Sequence, residues 1–183
     1  EDGVLQGYFD LVGIPYSNCG VLASALTFNK FACNQYLKGF GVKVAESLLL
    51  RKGQTISAEQ VVALLGLPCF VKSNVGGSSF GTTKVKHEAE IVPAVERAFQ
   101  EGDEVIVEKF LDGKEFTCGC YKTAQGFRLL PVTEVLPKNE FFDYNAKYEG
   151  NVQEITPARI SKEMRDKFHQ ITSLIYDIIG CKG

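Results

Sequence analysis

The most informative segment of the chain reads Pro68-Cys69-Phe70-Val71-Lys72-Ser73-Asn74-Val75-Gly76-Gly77-Ser78-Ser79-Phe80-Gly81. It is typical of a short apolar strand that delivers a lysine to a loop of glycines and serines. Glycine lets backbone N–H groups approach phosphate oxygens closely, serine adds donors, and the lysine supplies a positive charge at the end of the strand. The segment therefore predicts a polyphosphate-binding loop, and we expect the chain to bind a nucleotide.

The order of residues in this segment excludes two common phosphate-binding motifs. Lys72 precedes the glycines, whereas the Walker lysine follows them, and the dinucleotide pattern G-x-G-x-x-G is missing. A flexible hairpin is the alternative interpretation, since glycine and serine cluster in turns. We favour the phosphate interpretation because an exposed lysine at a strand end gains little free energy unless it has an anionic partner.

The composition is that of an ordinary globular protein. The chain has 183 residues, of which 45% are hydrophobic and 23% charged, so it is long enough for one domain or two small ones with a buried core. Its 20 basic and 22 acidic residues give a net charge of -2, which offers no electrostatic attraction for nucleic acid or an anionic membrane. We therefore expect a small soluble partner, and neither nucleic acid nor a membrane.

The sequence shows no targeting signal that we recognise, and this, together with the cysteine usage, predicts a cytoplasmic protein. No apolar run reaches the roughly 18 to 20 residues that span a bilayer, and the acidic start of the chain lacks the features of a signal peptide. The cysteines are scattered, as reduced cysteines of cytosolic proteins usually are; they are Cys19, Cys33, Cys69, Cys118, Cys120 and Cys181. Because only two histidines are present, we do not expect a histidine-based metal site.

Hydrophobic periodicity predicts a mixture of helices and antiparallel strands, which is the α+β class. The predicted helices cover 4–12, 27–40 with Thr27 as N-cap, 57–65 with a capping box at Ser57, 90–100 and 161–179. The predicted strands cover 45–50, 69–73, 82–86, 104–109, 115–121, 127–132 and 134–137, and a long polar loop covers 139–157. The chain enters a helix with no preceding strand and stops soon after a helix, so we expect the middle of a longer protein.

Two further segments carry chemistry. In 108–117 a linker between two strands can pair its backbone with the edge of adenine, while Glu115 accepts ribose hydroxyls; an ordinary charged hairpin is the alternative. In 141–150 aromatic residues are dense for a loop, and Lys147 stands beside Tyr148. Such a loop is expected to fold over a site, the alternative being a loop that its phenylalanines merely anchor.

Together, these three segments resemble the ATP-grasp ligases, and among them the D-alanine–D-alanine ligase family. The resemblance extends to Glu1-Asp2-Gly3-Val4-Leu5-Gln6-Gly7 and to Ser24-Ala25-Leu26-Thr27-Phe28-Asn29-Lys30, so that it covers nearly the whole chain. It implies an ATP-grasp fold of two lobes, with antiparallel sheets flanked by helices. Residues 1–22 would be the remnant of an N-terminal substrate domain, 23–112 the central lobe and 113–183 an incomplete C-terminal lobe.

The resemblance also implies roles for individual residues. Lys30 and Lys72 would contact the phosphates of ATP, and Lys147 the transferred γ-phosphate. The remaining nucleotide contacts would come from the backbone of Ser78, Ser79, Phe80 and Gly81 over the phosphates, from Glu108, Lys109 and Leu111 at adenine, and from Glu115 at the ribose. Ser78 and Tyr148 would orient the first D-alanine. The segment Asn74-Val75-Gly76 departs from many relatives, which carry charged residues there.

The activity implied is ATP-dependent ligation of two D-alanines through an acyl phosphate, which supplies a dipeptide for peptidoglycan. The family's Mg²⁺ or Mn²⁺ ligands would follow Gly183, so we expect no metal ligand in this chain, weak nucleotide binding and no ligation by the chain alone. The parent protein is expected to be a homodimer.

Two alternatives stay open. One is another ATP-grasp ligase, such as a D-alanine–D-lactate or D-alanine–D-serine enzyme, although Asn145-Ala146-Lys147-Tyr148 favours dipeptide formation. The other is a nucleotide-binding module without catalysis.

Overall fold

A computed structural model describes residues 2–77, 81–137 and 152–182 of the chain. The helices of these ranges are α1 Val4–Val12, α2 Val21–Phe28, α3 Lys30–Gly39, α4 Ala58–Leu65, α5 Ile91–Ala98 and α6 Lys162–Ile179, with a 3-10 turn at Glu88–Glu90. The strands are β1 Ser47–Arg51, β2 Cys69–Ser73, β3 Thr83–Val85, β4 Glu104–Lys109, β5 Glu115–Thr117, β6 Cys120–Thr123, β7 Gly126–Leu129, β8 Thr133–Pro137 and β9 Val152–Ile155. None of the described helices has the length and apolar character needed to cross a membrane.

The first sheet is antiparallel and has the order β1-β4-β2-β3. Alternate residues of β2 are buried, as expected of a strand whose side chains point by turns to opposite faces. One face packs against α4 and α5, and the fully buried side chains of this core include Val61, Val71, Ile91 and Val107. This packing fixes the position of β2, which carries Lys72.

The other face of the same sheet carries polar side chains at the centre. Lys72 lies opposite Ile106, and Phe70 lies opposite Glu108. Diagonal neighbours on one face of an antiparallel pair are within reach of long side chains. The register therefore brings the ammonium of Lys72 to the carboxylate of Glu108.

The second group of elements follows residue 114. It contains the antiparallel sheet β5-β8-β9 and the hairpin β6-β7. Helix α6 packs its aromatic side chains on both: the rings of Phe116 and Phe168 are 5.0 Å apart, and those of Phe127 and Tyr176 meet edge to face at 5.4 Å. Helices and antiparallel sheets thus occur together, which confirms the predicted α+β class.

The helix predicted over 27–40 is in fact two helices, so this prediction was wrong. Thr27 is no N-cap: it lies in the last turn of α2, where its hydroxyl donates to the carbonyl oxygen of Ala23 at 2.8 Å. Asn29 leaves the helical conformation at φ -92° and ψ 103°, and its side chain accepts from the N–H of Ala32 at 2.9 Å. Asparagine favours such positions because its side chain satisfies the backbone at a helix start.

Three further predictions about elements need correction. Ser57 stands at the N-cap of α4 but makes no side-chain capping hydrogen bond. The strand predicted over 115–121 is interrupted between Thr117 and Cys120, because the chain leaves β5 to begin a separate hairpin. The predicted polar loop over 139–157 ends in strand β9, which pairs with β8, while residues 139–151 lie outside the described ranges.

Candidate nucleotide site

Lys72 lies two residues before Asn74, near the end of β2, and is ion-paired with Glu108. The side chains are 25% and 12% exposed, so the pair is mostly shielded from water. Glu108 also accepts a hydrogen bond from Nδ2 of Asn34 in α3 at 3.0 Å. Lys72 is therefore not the exposed lysine that the phosphate interpretation assumed, because the register of β2 with β4 gives it an anionic partner within the fold.

Lys30, the first residue of α3, lies beside this pair. Its ammonium donates to the carbonyl oxygens of Gly76 at 3.0 Å and Asn74 at 3.3 Å, at the start of the glycine loop. Burial lowers the pKa of Lys30, and the positive charge of Lys72 lowers it further, while Glu108 opposes the change. Two lysines from separate elements thus lie close enough to interact electrostatically, and the carboxylate of Glu108 is paired with one of them and acts on the other. Such a site favours a bound anion, which relieves the repulsion between the ammonium groups.

The hydrogen bonds that hold Lys30 in place come from two asparagines that sequence reasoning missed. Asn74 is fully buried, and its amide contacts the first turn of α3. Asn29 caps the same turn. An asparagine directly before a helical run is a recognisable capping signal, so Asn29 could have been found. Nothing local marks Asn74, because its partners in α3 lie more than forty residues earlier in the chain.

The linker after β4 carries the residues expected at adenine and ribose. Lys109, Leu111 and Glu115 are exposed, Leu111 by 65%. Phe110 anchors the linker between them: its ring lies 6.0 Å from that of Phe70, and the ammonium of Lys84 lies 4.1 Å from its centroid. Such a cation–π contact stabilises the ring from its face. The arrangement leaves the linker backbone next to the Lys72–Glu108 pair.

A second charged cluster ties this linker to the strands behind it. Glu134 of β8 is fully buried and accepts from Arg159 at 2.8 Å and from Lys114, the residue before Glu115, at 3.2 Å. The hydrogen bond from Arg159 is the largest influence on Glu134, and with Lys114 it lowers the pKa of this carboxyl to about 2 against the opposing effect of burial. The cluster joins the start of β5 to the segment that follows β9.

Gly81 closes the glycine loop next to α5. Its φ is +64°, and a Cβ atom at this position would lie 2.8 Å from Cγ of Glu101. Both the backbone conformation and the close approach therefore require glycine. The predicted site residues Ser78, Ser79, Phe80, Lys147 and Tyr148 lie outside the described ranges. Their roles stay predictions.

The described residues offer few candidates for a metal site. Across the described ranges 2–77, 81–137 and 152–182, no three His, Cys, Asp or Glu side chains are grouped in a way that could hold a metal ion. These residues do not by themselves fit the Mg²⁺ or Mn²⁺ that the resemblance implies.

Comparison with known proteins connects this geometry to a family. The family model described as the C-terminus of D-Ala–D-Ala ligase matches residues 36–183. The chain is 62% identical to a D-alanine–D-alanine ligase of Phocaeicola vulgatus over 183 residues, which is 100% of the chain and 56% of that protein. It is 48% identical over 184 residues to the ligase of Porphyromonas gingivalis strain W83, again covering 56% of that protein.

Solved structures agree with the sequence comparison. The VanG D-Ala:D-Ser ligase from Enterococcus faecalis superposes with a TM-score of 0.87 at 34% identity, covering 100% of this chain and 53% of that one. The D-alanine–D-alanine ligase from Bacillus anthracis gives a TM-score of 0.84 at 30% identity, covering 100% and 58%. The chain thus spans about half the length of these relatives, and the likeness confirms the predicted ATP-grasp fold. By family model, relatives and fold, the chain belongs to the D-alanine–D-alanine ligase family.

Proposed function

We propose that the protein to which this chain belongs joins two D-alanines to D-alanyl-D-alanine at the expense of ATP, for peptidoglycan synthesis. The observation that carries this proposal is the convergence of Lys30 and Lys72 at the start of the glycine loop, in a member of this ligase family. Phosphoryl transfer requires positioning and cationic stabilisation more than covalent chemistry from the protein. Two partly buried lysines held by separate elements meet that requirement.

In the proposed complex, different segments of the chain contact different parts of ATP. The ammonium groups of Lys30 and Lys72 contact the phosphates, and Glu108 holds Lys72 in place from the other side. The backbone of 108–111 meets the adenine edge, and the exposed carboxylate of Glu115 accepts the ribose hydroxyls. Bound ATP supplies the phosphoryl group that activates the carboxylate of the first D-alanine.

The remaining roles fall on the glycine loop and the aromatic loop. The backbone N–H groups of 78–81 cover the phosphates, and Lys147 contacts the γ-phosphate as it moves. Ser78 and Tyr148 orient the first D-alanine while the amine of the second attacks the carbonyl carbon of the acyl phosphate. The tetrahedral intermediate then expels inorganic phosphate and leaves the dipeptide. Closure of these loops would exclude water, which protects an acyl phosphate from hydrolysis.

Calorimetric titration of ATP in the presence of Mg²⁺ tests the nucleotide site. Lys72→Ala should weaken ATP binding about tenfold or more, because a hydrogen bond to a charged group contributes about 1.5–3 kcal/mol. Lys52→Ala is the matched control, since Lys52 is also paired with a carboxylate, Asp103 at 3.3 Å, but is 68% exposed. The control should bind ATP with the affinity of the unsubstituted protein. Equal affinities for the unsubstituted protein and Lys72→Ala would show that the phosphates do not bind at Lys72.

A D-alanine–D-serine ligase is the second candidate, favoured by the likeness to the Enterococcus faecalis enzyme. The two activities differ in the second substrate only. ADP release and product mass, measured with D-alanine alone and with D-alanine plus D-serine, separate them. We expect D-alanyl-D-alanine as the main product in both mixtures. ATP binding without any D-alanine-dependent ADP release would instead favour the non-catalytic module.

We further infer a cytoplasmic location, because the reaction consumes ATP and the free thiols suit a reducing compartment. The homodimer expected from the resemblance is tested by sedimentation equilibrium.

A further inference from the structure

We propose that Asn74 is a positioning residue that holds the helix bearing Lys30 against the strand bearing Lys72. The inference rests on the proposed nucleotide site and adds to it a residue that makes no contact with ATP. Asn74 lies directly after β2 and is fully buried. Its hydrogen bonds reach two other elements, the start of α3 and the start of β4.

The first turn of α3 depends on this residue. The N–H of Lys30 donates to the carbonyl oxygen of Asn74 at 3.1 Å, and the N–H of Phe31 donates to its Oδ1 at 2.8 Å. Asn29 satisfies the next donor, the N–H of Ala32, and its Oδ1 also accepts from Nδ2 of Asn74 at 3.0 Å. The first N–H groups of a helix have no partner within the helix, so they require acceptors from elsewhere. Here a residue 44 positions later in the chain supplies two of them.

The opposite side of Asn74 is fixed to β4. Its N–H donates to the carbonyl oxygen of Glu104 at 2.9 Å, and its Nδ2 donates to Oε2 of Glu104 at 2.7 Å. The other carboxylate oxygen of Glu104 accepts from Arg51 at 3.1 Å. Both N–H donors of the side-chain amide are therefore used and its oxygen accepts one hydrogen bond, so the orientation of the amide is determined by the start of α3 and the start of β4.

This arrangement has two consequences for the site. The first N–H groups of α3 are already occupied, so phosphate contacts from this helix must come from the ammonium of Lys30. In addition, Lys30 and Lys72 repel each other, and both a helix start and burial disfavour a cation. Without the side chain of Asn74, the first turn of α3 would lose its hydrogen bonds to that amide and keep the backbone hydrogen bond from Lys30, so Lys30 would be held less firmly beside Lys72 against this repulsion.

A double-mutant cycle between Asn74→Ala and Lys30→Ala tests the inference, with the affinity for ATP in the presence of Mg²⁺ as readout. Asn74→Ala leaves both cations in the chain but removes the side-chain hydrogen bonds to α3 and Glu104. We expect it to weaken ATP binding about fivefold or more when Lys30 is present and less than about twofold when Lys30 is alanine, since residues in one network are coupled. A purely structural role would lower stability and give losses that add.

The matched control is Ser73→Ala, a neighbouring buried polar residue whose hydroxyl donates to Val75 rather than to α3. Its effect on ATP affinity should be the same with and without Lys30. If Asn74→Ala does not fold, Asn29→Ala replaces it, because Asn29 is the partly exposed member of the same network and should couple to Lys30 likewise.

The outcomes separate the two proposals. Coupling of Asn74 or Asn29 to Lys30, without coupling of Ser73, supports the positioning role. If the unsubstituted protein binds ATP and the losses in the variants add, the positioning role alone is overturned. If the unsubstituted protein binds no ATP, both the nucleotide site and the positioning role are overturned.

Discussion

The charge of this site depends on single side chains, and the pKa of Lys30 is its most direct measure. Burial and the charge of Lys72 both lower the pKa of Lys30. Lys72→Met should therefore raise that pKa, because a neighbouring cation is removed while Glu108, whose charge raises the pKa of Lys30, stays in place. An NMR titration of the Lys30 Cε resonance in ¹³C-lysine-labelled protein measures the change. An unaltered pKa would mean that the two ammonium groups do not converge.

Glu134 gives a pH dependence of stability. Its pKa is lowered from 4.5 to about 2 in the folded protein, chiefly by Arg159. The folded state therefore binds this proton less readily than the unfolded state, so the interaction stabilises the fold fully above about pH 4.5 and is lost as the pH falls toward 2. Glu134→Gln lacks the interaction at every pH.

Urea unfolding of the parent and Glu134→Gln proteins at several pH values checks this prediction. The difference in the free energy of unfolding should be largest near neutral pH and should shrink below about pH 4.5. A difference that stays constant down to the acid limit of folding would show that the carboxylate charge contributes nothing.

Among the elements, α5 and β2 determine where Lys72 stands, because they form the core beneath it. Ile91 is fully buried in that core, and Ile91→Ala should destabilise the fold by about 2–5 kcal/mol through lost burial and the cavity left behind. The adjacent Val92 is 44% exposed and provides the control, since Val92→Ala should change stability much less. Thermal or urea unfolding measures both, and similar losses for the two variants would contradict the packing described.

The same elements show what sequence can predict. The bounds 69–73 and 104–109 agree with β2 and β4, because apolar residues of a buried strand give a strong local pattern. The helix predicted over 161–179 agrees with α6: Ser161 lies at its N-cap and accepts from the N–H of Met164, and Gly180 follows its last residue with φ +73°. The break between α2 and α3 was missed because the apolar pattern continues on both sides of Asn29, although the backbone leaves the helical conformation at this residue.

The candidate site was predictable to a similar extent. A lysine before a glycine loop is visible in the sequence, and so is the spacing of Lys30, Lys72 and Glu108. The partners of these residues were not visible, because they are fixed by the register of β2 with β4 and by the contact of Asn74 with α3. Long-range hydrogen bonds leave no periodic pattern in the chain.

For the molecule as a whole, the site depends on elements that are distant in sequence. The first sheet supplies Lys72 and Glu108, and helix α3 supplies Lys30. The linker from β4 to β5 leads to the second group of elements. With a net charge of -2, the chain has no general attraction for polyphosphate. Binding of ATP must then depend on the local group of cations, which single substitutions can remove.

A structure of the protein with a non-hydrolysable ATP analogue tests the central claim most directly. It should place oxygens of the phosphate chain within hydrogen-bonding distance of Nζ of both Lys30 and Lys72, with adenine against 108–111. Phosphates bound away from these two ammonium groups, or lysine side chains that point apart in the complex, would contradict the account.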